Sequence, residues 1–300
     1  MEAPVLSARQ LRKQYGSFIA VDDLTFDVYP GEIFGLLGPN GAGKTSTIRI
    51  LMDIFKADSG EVELLGSPPG HSRDRVGYLP EERGLYKDQR VMEVLVYLAR
   101  LKGVDTAAAR RRVEAWLERV ELAEWGDKRV KELSRGMQQK VQFVASLLHD
   151  PELLILDEPF QGLDPVNVEL LKGLMRSQLS EGKSIILSAH QMNLVEELCD
   201  RILLINEGRA VLYGPLKQIK SEYAPNSVRV RAANLPDNLP GVASCDWSGD
   251  VALLTLNGIG PQDLLAMLVA RKIEVESFEQ AAVPLNEIFV AVVQGQGKKA

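Results

Sequence analysis

Apolar positions at the start of the chain come in short alternating runs. Leu24, Phe26 and Val28 fall two apart, the period of a strand with one buried face, and Pro30-Gly31 closes the run as a turn. Ile33-Phe34-Gly35-Leu36-Leu37 is instead continuously apolar, as suits a strand covered on both faces. A glycine-rich stretch follows, and Ile48, Leu51 and Phe55 then recur at helical spacing. Strand, loop and helix in that order open an α/β fold.

Over residues 91–125 the period changes. Val91, Leu95, Leu98 and Leu101 repeat at four and three, and so do Val113, Trp116, Leu117 and Val120. This predicts two amphipathic helices broken near Gly103, with Trp116 in the core. Arg110-Arg111-Arg112 reads as the solvated face of the second helix, Arg110 standing four residues before Glu114. Apolar runs at 153–156, 184–187 and 202–205 read as strands separated by helical patterns, an alternation that implies parallel pairing. The pattern breaks near Tyr223-Ala224-Pro225-Asn226, a predicted domain boundary. Beyond it the expected order is strand (228–230), strand (251–256), helix (261–271), strand (273–278) and helix (285–293), a small α+β module. Residues 295–300 are polar and glycine-rich and are expected to fray.

Composition narrows the class. The chain has 300 residues, 45% hydrophobic and 25% charged, so two ordinary globular domains are the expectation. Its formal net charge is −6 and neither half is basic, which argues against a surface that coats nucleic acid. No apolar run approaches the ~18 residues of a membrane span, and Met1-Glu2-Ala3-Pro4 does not resemble a secretory leader. Cys199 and Cys245 form no paired motif and are expected as reduced thiols of a soluble, intracellular protein. His71 and His149 have no companions at metal-ligand spacing.

One stretch carries chemistry outright. Gly38-Pro39-Asn40-Gly41-Ala42-Gly43-Lys44-Thr45 has the spacing of a phosphate-binding loop, here placed between a buried strand and a helix. Glycines let backbone N–H groups turn toward phosphate oxygens, and the helix start adds its positive end. Lys44 can reach the outer phosphates of a nucleoside triphosphate, and the Thr45 hydroxyl can ligate Mg²⁺. Far downstream, Leu153 to Leu156 end in Asp157 and Glu158, at the carboxyl end of a strand, where open α/β sheets bind ligands. Asp157 suits a magnesium shell, and Glu158 suits a base that polarises water.

With Leu133-Ser134-Arg135-Gly136-Met137-Gln138-Gln139-Lys140, these motifs resemble the ATP-binding-cassette family. The resemblance runs over about 5–215 with five motifs in family order. It implies an α/β, P-loop NTPase cassette: a parallel core sheet, an N-terminal antiparallel β subdomain and a helical subdomain at about 83–150, all within residues 1–222. The ending Leu285-Asn286-Glu287-Ile288-Phe289 and the module before it resemble the accessory domain of bacterial exporter ATPases of the sodium and drug efflux type, here 223–294. The family reading further implies that Gly38 to Thr45, with Ser46, hold ATP and that Tyr15, if not a plain sheet aromatic, stacks on adenine. It places His190 at the terminal phosphate. Ser134, besides capping its helix, and the Gly136 N–H would close the ATP of a second copy, and Asp164 would lie in the loop crossing to that copy. The implied protein is a homo- or heterodimeric, Mg²⁺-dependent ATPase that drives a separate membrane permease from the cytoplasmic face. Its docking groove would lie in the helical subdomain. Alternatives are a soluble cassette acting on ribosomes or nucleic acid, and a phosphate-loop kinase.

Four residues depart from the family pattern. Glu81 stands where Gln is usual and is expected to ligate the metal or order water around it. Arg135 and Met137 replace the common Gly and Gln, and Gln161 replaces a small hydroxyl residue.

Overall fold

A computed structural model describes residues 3–82, 84–223, 226–232, 234–236, 238–281 and 283–293. The tail expected at 295–300 lies outside the described residues. The chain divides into two compact units, Met1–Leu216 and Lys217–Ala300.

The first unit begins with strands β1 (Leu6–Tyr15), β2 (Phe18–Val28) and β3 (Ile33–Leu37). With β4 (Ser59–Leu64), β1 and β2 make a three-stranded antiparallel sheet in the order β2-β1-β4. β3 instead joins β5 (Val76–Leu79), β6 (Leu153–Asp157), β7 (Ser184–Ala189), β8 (Arg201–Asn206) and β9 (Arg209–Pro215). The six run in the order β5-β6-β7-β3-β8-β9. All neighbours are parallel except β8 and β9. Every residue of β3, β6 and β7 is buried, which is why these segments are continuously apolar rather than alternating.

Register positions the chemistry. Leu37 pairs with Ala189, and Asp157 pairs with Ser188. The loop after β3, the acids closing β6 and His190 after β7 therefore leave the sheet at one edge. Helix α1 (Lys44–Leu51) follows the first of these loops. It ends at Leu51, so Phe55, expected to continue it, lies beyond it.

Between β5 and β6 stand α2 (Val91–Leu101), α3 (Thr106–Arg119) and α4 (Arg135–Leu147). Of the predicted stripes, α2 buries Val91 and Leu95 but leaves Leu101, at its last position, 64% exposed, while α3 buries Val113 and Leu117. Asp105 caps α3 by accepting N–H bonds from Ala107 and Ala108. Arg110, Arg111 and Arg112 are exposed. Trp116 is not core, as the periodicity suggests: it is half-buried, with the Arg119 guanidinium 4.1 Å from its ring centroid. A tryptophan at the edge of an apolar stripe keeps one face wet, and a cation can cover that face. Helices α5 (Pro165–Ser180), α6 (Met192–Leu198) and α7 (Leu216–Tyr223) complete the helical pattern between and after the later strands.

The second unit contains a four-stranded antiparallel sheet of β10 (Ser227–Ala232), β11 (Val242–Ser248), β12 (Val251–Leu256) and β13 (Val275–Gln280), ordered β11-β12-β10-β13. Helix α8 (Pro261–Ala270) connects β12 to β13 and buries Leu264 and Leu268 against Val228, Val230, Ala252 and Leu254. Helix α9 (Leu285–Val293) ends the described residues. β13 lies two residues later than predicted, and β11 was not predicted. β11 is an edge strand with most of its residues exposed, so no buried face imposes a period on its sequence.

Burial decides which substitutions this fold tolerates. Ile155→Ala, in the middle of fully buried β6, is expected to cost about 2–5 kcal/mol, whereas Arg111→Ala should stay within about 0.5 kcal/mol. Urea unfolding of the two variants checks this through the shift in midpoint.

Candidate functional site

The loop from Gly38 to Thr45 is folded so tightly that two of its glycines have no substitute. Gly38 has φ +149°, and a Cβ there would stand 2.2 Å from the Ile205 carbonyl oxygen. Gly43 has φ +110°, and a Cβ there would stand 2.2 Å from the Ala20 carbonyl oxygen. The loop is thus pressed between the ends of β8 and β2, and it delivers Lys44 as the first residue of α1. The opening N–H groups of that helix have no acceptor within it, which favours an anion in front of them.

Lys44 is only 6% exposed. Its Nζ donates to the carbonyl oxygens of Gly38 at 2.8 Å and Pro39 at 3.3 Å, and it lies 3.7 Å from Glu158 Oε1. Asn40, Gly41, Ala42, Gly43, Lys44, Thr45, Ser46, Glu81 and Glu158 border one cavity of about 260 Å³. Phe18 and Ala20 also line it.

The acids sit deeper. Asp157 is fully buried at the end of β6, its Oδ1 accepting a hydrogen bond from the Ser188 hydroxyl. Its Oδ2 is buried with no hydrogen-bond partner among the described residues. The same Ser188 oxygen accepts the Glu158 N–H at 2.9 Å, so one hydroxyl fixes both acids. Glu158 has φ +50°, a left-handed conformation that costs a residue with a Cβ roughly 1–2 kcal/mol. That turn aims its carboxylate back toward Lys44 on one oxygen and His190 on the other, with Oε2 2.9 Å from His190 Nδ1.

Burial pushes the Asp157 carboxyl above the ordinary carboxylate range; the Ser188 hydroxyl opposes this, and Glu81 reinforces it. Burial likewise raises Glu158, against the pull of His190 and Lys44. Tyr78, in neighbouring β5, is pushed up to about 12 by burial and by the charge of Asp157.

A divalent cation fits these donors. The orphaned Asp157 Oδ2, the Thr45 hydroxyl and the Glu81 carboxylate are all oxygen ligands, the set that Mg²⁺ prefers. Thr45 Oγ1 donates to Glu81 Oε2 at 3.5 Å. Glu81 also borders a second, open cavity of about 750 Å³ with Lys87, Lys131, Arg135, Gln138 and Gln161. The departures at 81, 135 and 161 therefore border one cavity, which Lys87 and Lys131 also line.

The structure does not bring every candidate to the phosphate loop. Ser134 caps α4, accepting the Met137 N–H at 3.2 Å, and Asp164 caps α5, accepting the Asn167 N–H at 3.0 Å. Gly136 faces the loop before Asp164, since a Cβ on it would sit 3.5 Å from Leu163 Cδ2. These three are not among the residues bordering the Lys44 cavity. Tyr15 is not among them either: its ring lies edge-on to Phe55 with centroids 6.0 Å apart, and Lys13 Nζ is 5.7 Å from it. His149 Nε2 donates to the Val76 carbonyl oxygen at 3.0 Å, a structural contact away from the loop. Cys199 is buried and its thiol is pushed far up by burial.

Two residues were missed by the sequence reading. Phe18 gives no signal beyond being an aromatic next to a turn. Ser188 could have been found as a hydroxyl in a buried strand two residues before His190.

The profile of the family described as ABC transporter matches residues 21–161, and that of the DrrA1-3-like ATP-binding protein C-terminal domain matches 214–293. A Bacillus subtilis (strain 168) relative, "Uncharacterized ABC transporter ATP-binding protein YhaQ", is 40% identical over 294 residues, 96% of this chain and 98% of its own. "Nod factor export ATP-binding protein I" of Burkholderia pseudomallei (strain 1710b) is 40% identical over 244 residues, 77% of this chain and 80% of its own. The solved structure of cbiO1 from Clostridium perfringens, described as part of the ABC transporter complex cbiONQ, superposes with a TM-score of 0.65 at 28% identity. That match covers 74% of this chain and 92% of the other.

The raised pKa of Asp157 fixes the sign of its effect on stability. Its contribution is complete below the ordinary carboxylate pKa and is lost as pH rises through the raised folded value, so at neutral pH the buried charge destabilises the fold. Asp157→Asn should therefore melt above the wild type in metal-free buffer at pH 7.5, and the gap should narrow as pH falls toward 4. Thermal melts of the two proteins in a chelator across that range measure it.

Proposed function

The chain belongs to the ABC transporter ATP-binding proteins, and on that premise we propose that it hydrolyses ATP as one of two facing copies that drive a separate membrane subunit of an exporter. The family's members bind ATP and are ATPases in general. The observation that carries the reading for this chain is the buried cluster at one sheet edge: Lys44, Glu158 and Asp157, the last with an unpartnered oxygen.

Each side chain then has a task. The loop N–H groups and Lys44 bind and orient the triphosphate, the ammonium exchanging the Gly38 and Pro39 carbonyls for phosphate oxygens. Asp157, Thr45 and Glu81 hold Mg²⁺, which when bound neutralises charge on the phosphates. Glu158 accepts the proton of the attacking water or polarises it, and its raised pKa brings it closer to the working pH of a base. His190, at 2.9 Å, holds that carboxylate in place and can reach toward the terminal phosphate.

Ser134 and the Gly136 N–H, exposed and half-exposed at the start of a 13-residue helix, would close the nucleotide of a second copy, with Asp164 in the adjoining loop. Residues 1–222 form the ATPase domain in this reading, and 223–294 form an accessory domain; the DrrA-like match begins earlier, at residue 214.

The surface of the helical subdomain supports a membrane partner. No helix among the described residues is long and apolar enough to cross a membrane. The helical subdomain also presents a groove of about 360 Å³ between Tyr86, Gln89, Glu93, Val94 and Tyr97. Tyr86 and Tyr97 stack edge to face there while 53% and 46% exposed, an apolar surface suited to a permease loop at the cytoplasmic face. Export, rather than uptake, rests on the Nod factor export relative. The soluble ribosome- or nucleic-acid-directed alternative is not favoured by these relatives or by the charge of −6.

Turnover tests the assignment. Lys44→Ala should abolish most ATP hydrolysis, and Glu158→Gln should lower it by about 10²–10⁴ while nucleotide still binds. A steady-state phosphate-release assay with parallel ATP-binding measurements decides; unchanged turnover in Lys44→Ala would refute the loop assignment.

A further inference from the structure

We infer that Gln139 and Gln142, on the inner face of α4, are positioning residues, Gln139 for the base Glu158 and Gln142 for Glu81 on the metal side. This rests on the nucleotide reading above and names what holds its two acids in place.

The two glutamines are 2% and 5% exposed and lie three residues apart, so they share one face of the helix. The same helix buries Val141, Phe143 and Val144, and an apolar side chain would sit among them at less cost than an amide. What each amide reaches accounts for its presence. Gln139 Nε2 donates to the Pro159 carbonyl oxygen at 3.0 Å, and Gln142 Nε2 donates to the Glu82 carbonyl oxygen at 3.2 Å. Each acceptor stands one residue beyond an acid of the site. Gln142 Oε1 is buried with no hydrogen-bond partner among the described residues, so the bond to Glu82 is what this amide makes there.

Both acids depend on such support. Glu158 has φ +50°, a conformation that persists only where its surroundings over-determine it. Its N–H donates to the Ser188 hydroxyl at 2.9 Å, and its carbonyl accepts the Gln161 N–H at 3.1 Å. Gln139 adds a third hold, on the very next carbonyl. Glu81 meets Thr45 only at 3.5 Å, the long limit of a hydrogen bond, so the place of its carboxylate is set by its backbone. The neighbouring Glu82 side chain fixes that backbone little, being 89% exposed and 3.8 Å from Arg49. Gln142 holds it from the buried side. One helix thus sets the spacing of the two carboxylates.

Removing a group that holds a metal ligand or a reacting carboxylate in place costs about 10–100-fold in metal affinity or activity. The two losses should separate here, because the glutamines serve different acids.

The test uses the full chain and substitutes methionine, which keeps the length of glutamine and removes the donor. Gln139→Met should lower kcat for ATP hydrolysis about tenfold or more while the Kd for ATP stays within about twofold. Gln142→Met should raise the Mg²⁺ concentration for half-maximal turnover about tenfold, with kcat at saturating Mg²⁺ within about threefold. Added to Glu81→Ala, it should shift that Mg²⁺ requirement no further. Gln139→Glu and Gln142→Glu, which also lack the N–H donor, should each move the same quantity as the methionine variant. Val141→Ala, a buried truncation on the same helix, should lower the melting temperature and move neither kcat nor the Mg²⁺ requirement. Either glutamine variant behaving as the wild type, while Glu81→Ala and Glu158→Gln are impaired, overturns the inference and leaves the nucleotide site standing. Equal changes in Val141→Ala, or glutamine variants that do not fold, make the two residues structural and also overturn it. Glu81→Ala and Glu158→Gln proteins that turn over like the wild type overturn the nucleotide reading itself.

Discussion

A lysine ammonium held out of water needs something negative beside it, and the architecture around Lys44 is built to that constraint. Gly38 and Gly43 press the loop so closely onto the ends of β8 and β2 that Lys44 points inward rather than into solvent. Within the chain its needs are met only in part, by two carbonyl oxygens and by Glu158 at 3.7 Å. A carbonyl supplies partial charge, and a carboxylate at that distance is an ion pair without a hydrogen bond. The arrangement is satisfied enough to fold, and a phosphate oxygen would satisfy it better. Asp157 mirrors it with the opposite sign, an acid with one oxygen held by Ser188 and the other without a partner. One edge of the sheet thus presents a cation in want of anions beside an anion in want of a cation, the charge pattern of a magnesium triphosphate.

This explains why the edge is costly as well as useful. Burial raises the carboxyls of both acids, and Glu158 holds a left-handed backbone conformation. A sequence selected for stability alone would place none of these here; strain and desolvated charge gather where a ligand will relieve them. The cavity beside Glu81 extends the same logic. Its carboxylate adds negative charge near the metal donors, and Lys87, Lys131 and Arg135 line the same cavity.

Much of this was legible in the residues because tight chemistry leaves narrow spelling. A loop that must pass under the Ile205 and Ala20 carbonyls admits only glycine at 38 and 43, and an all-buried strand ending in two acids announces Asp157 and Glu158. The strand and helix order of the first unit was readable for the same reason: buried strands and amphipathic helices differ in period. What escaped depends on contacts between distant segments. The edge contact of the Tyr15 ring depends on Phe55, brought in from beyond α1. Ser188 becomes meaningful only when register sets it opposite Asp157. Trp116 looks like core until Arg119 covers its open face, and β11 has no buried side to give it a period.

One chain supplies the loop, the acids and His190 at this edge, while Ser134 and Gly136 begin α4 elsewhere, beside the turn that leads to Asp164. The account therefore requires a second copy to close each site, with the nucleotide's outer phosphate as the bond between them. Light scattering on the hydrolysis-slowed Glu158→Gln protein, with and without magnesium ATP and with the membrane subunit supplied, measures this directly. The account predicts that the ATPase mass doubles when nucleotide is added and returns to that of one chain when it is removed. A protein that binds the nucleotide yet keeps the mass of a single ATPase chain, membrane subunit present or not, contradicts it.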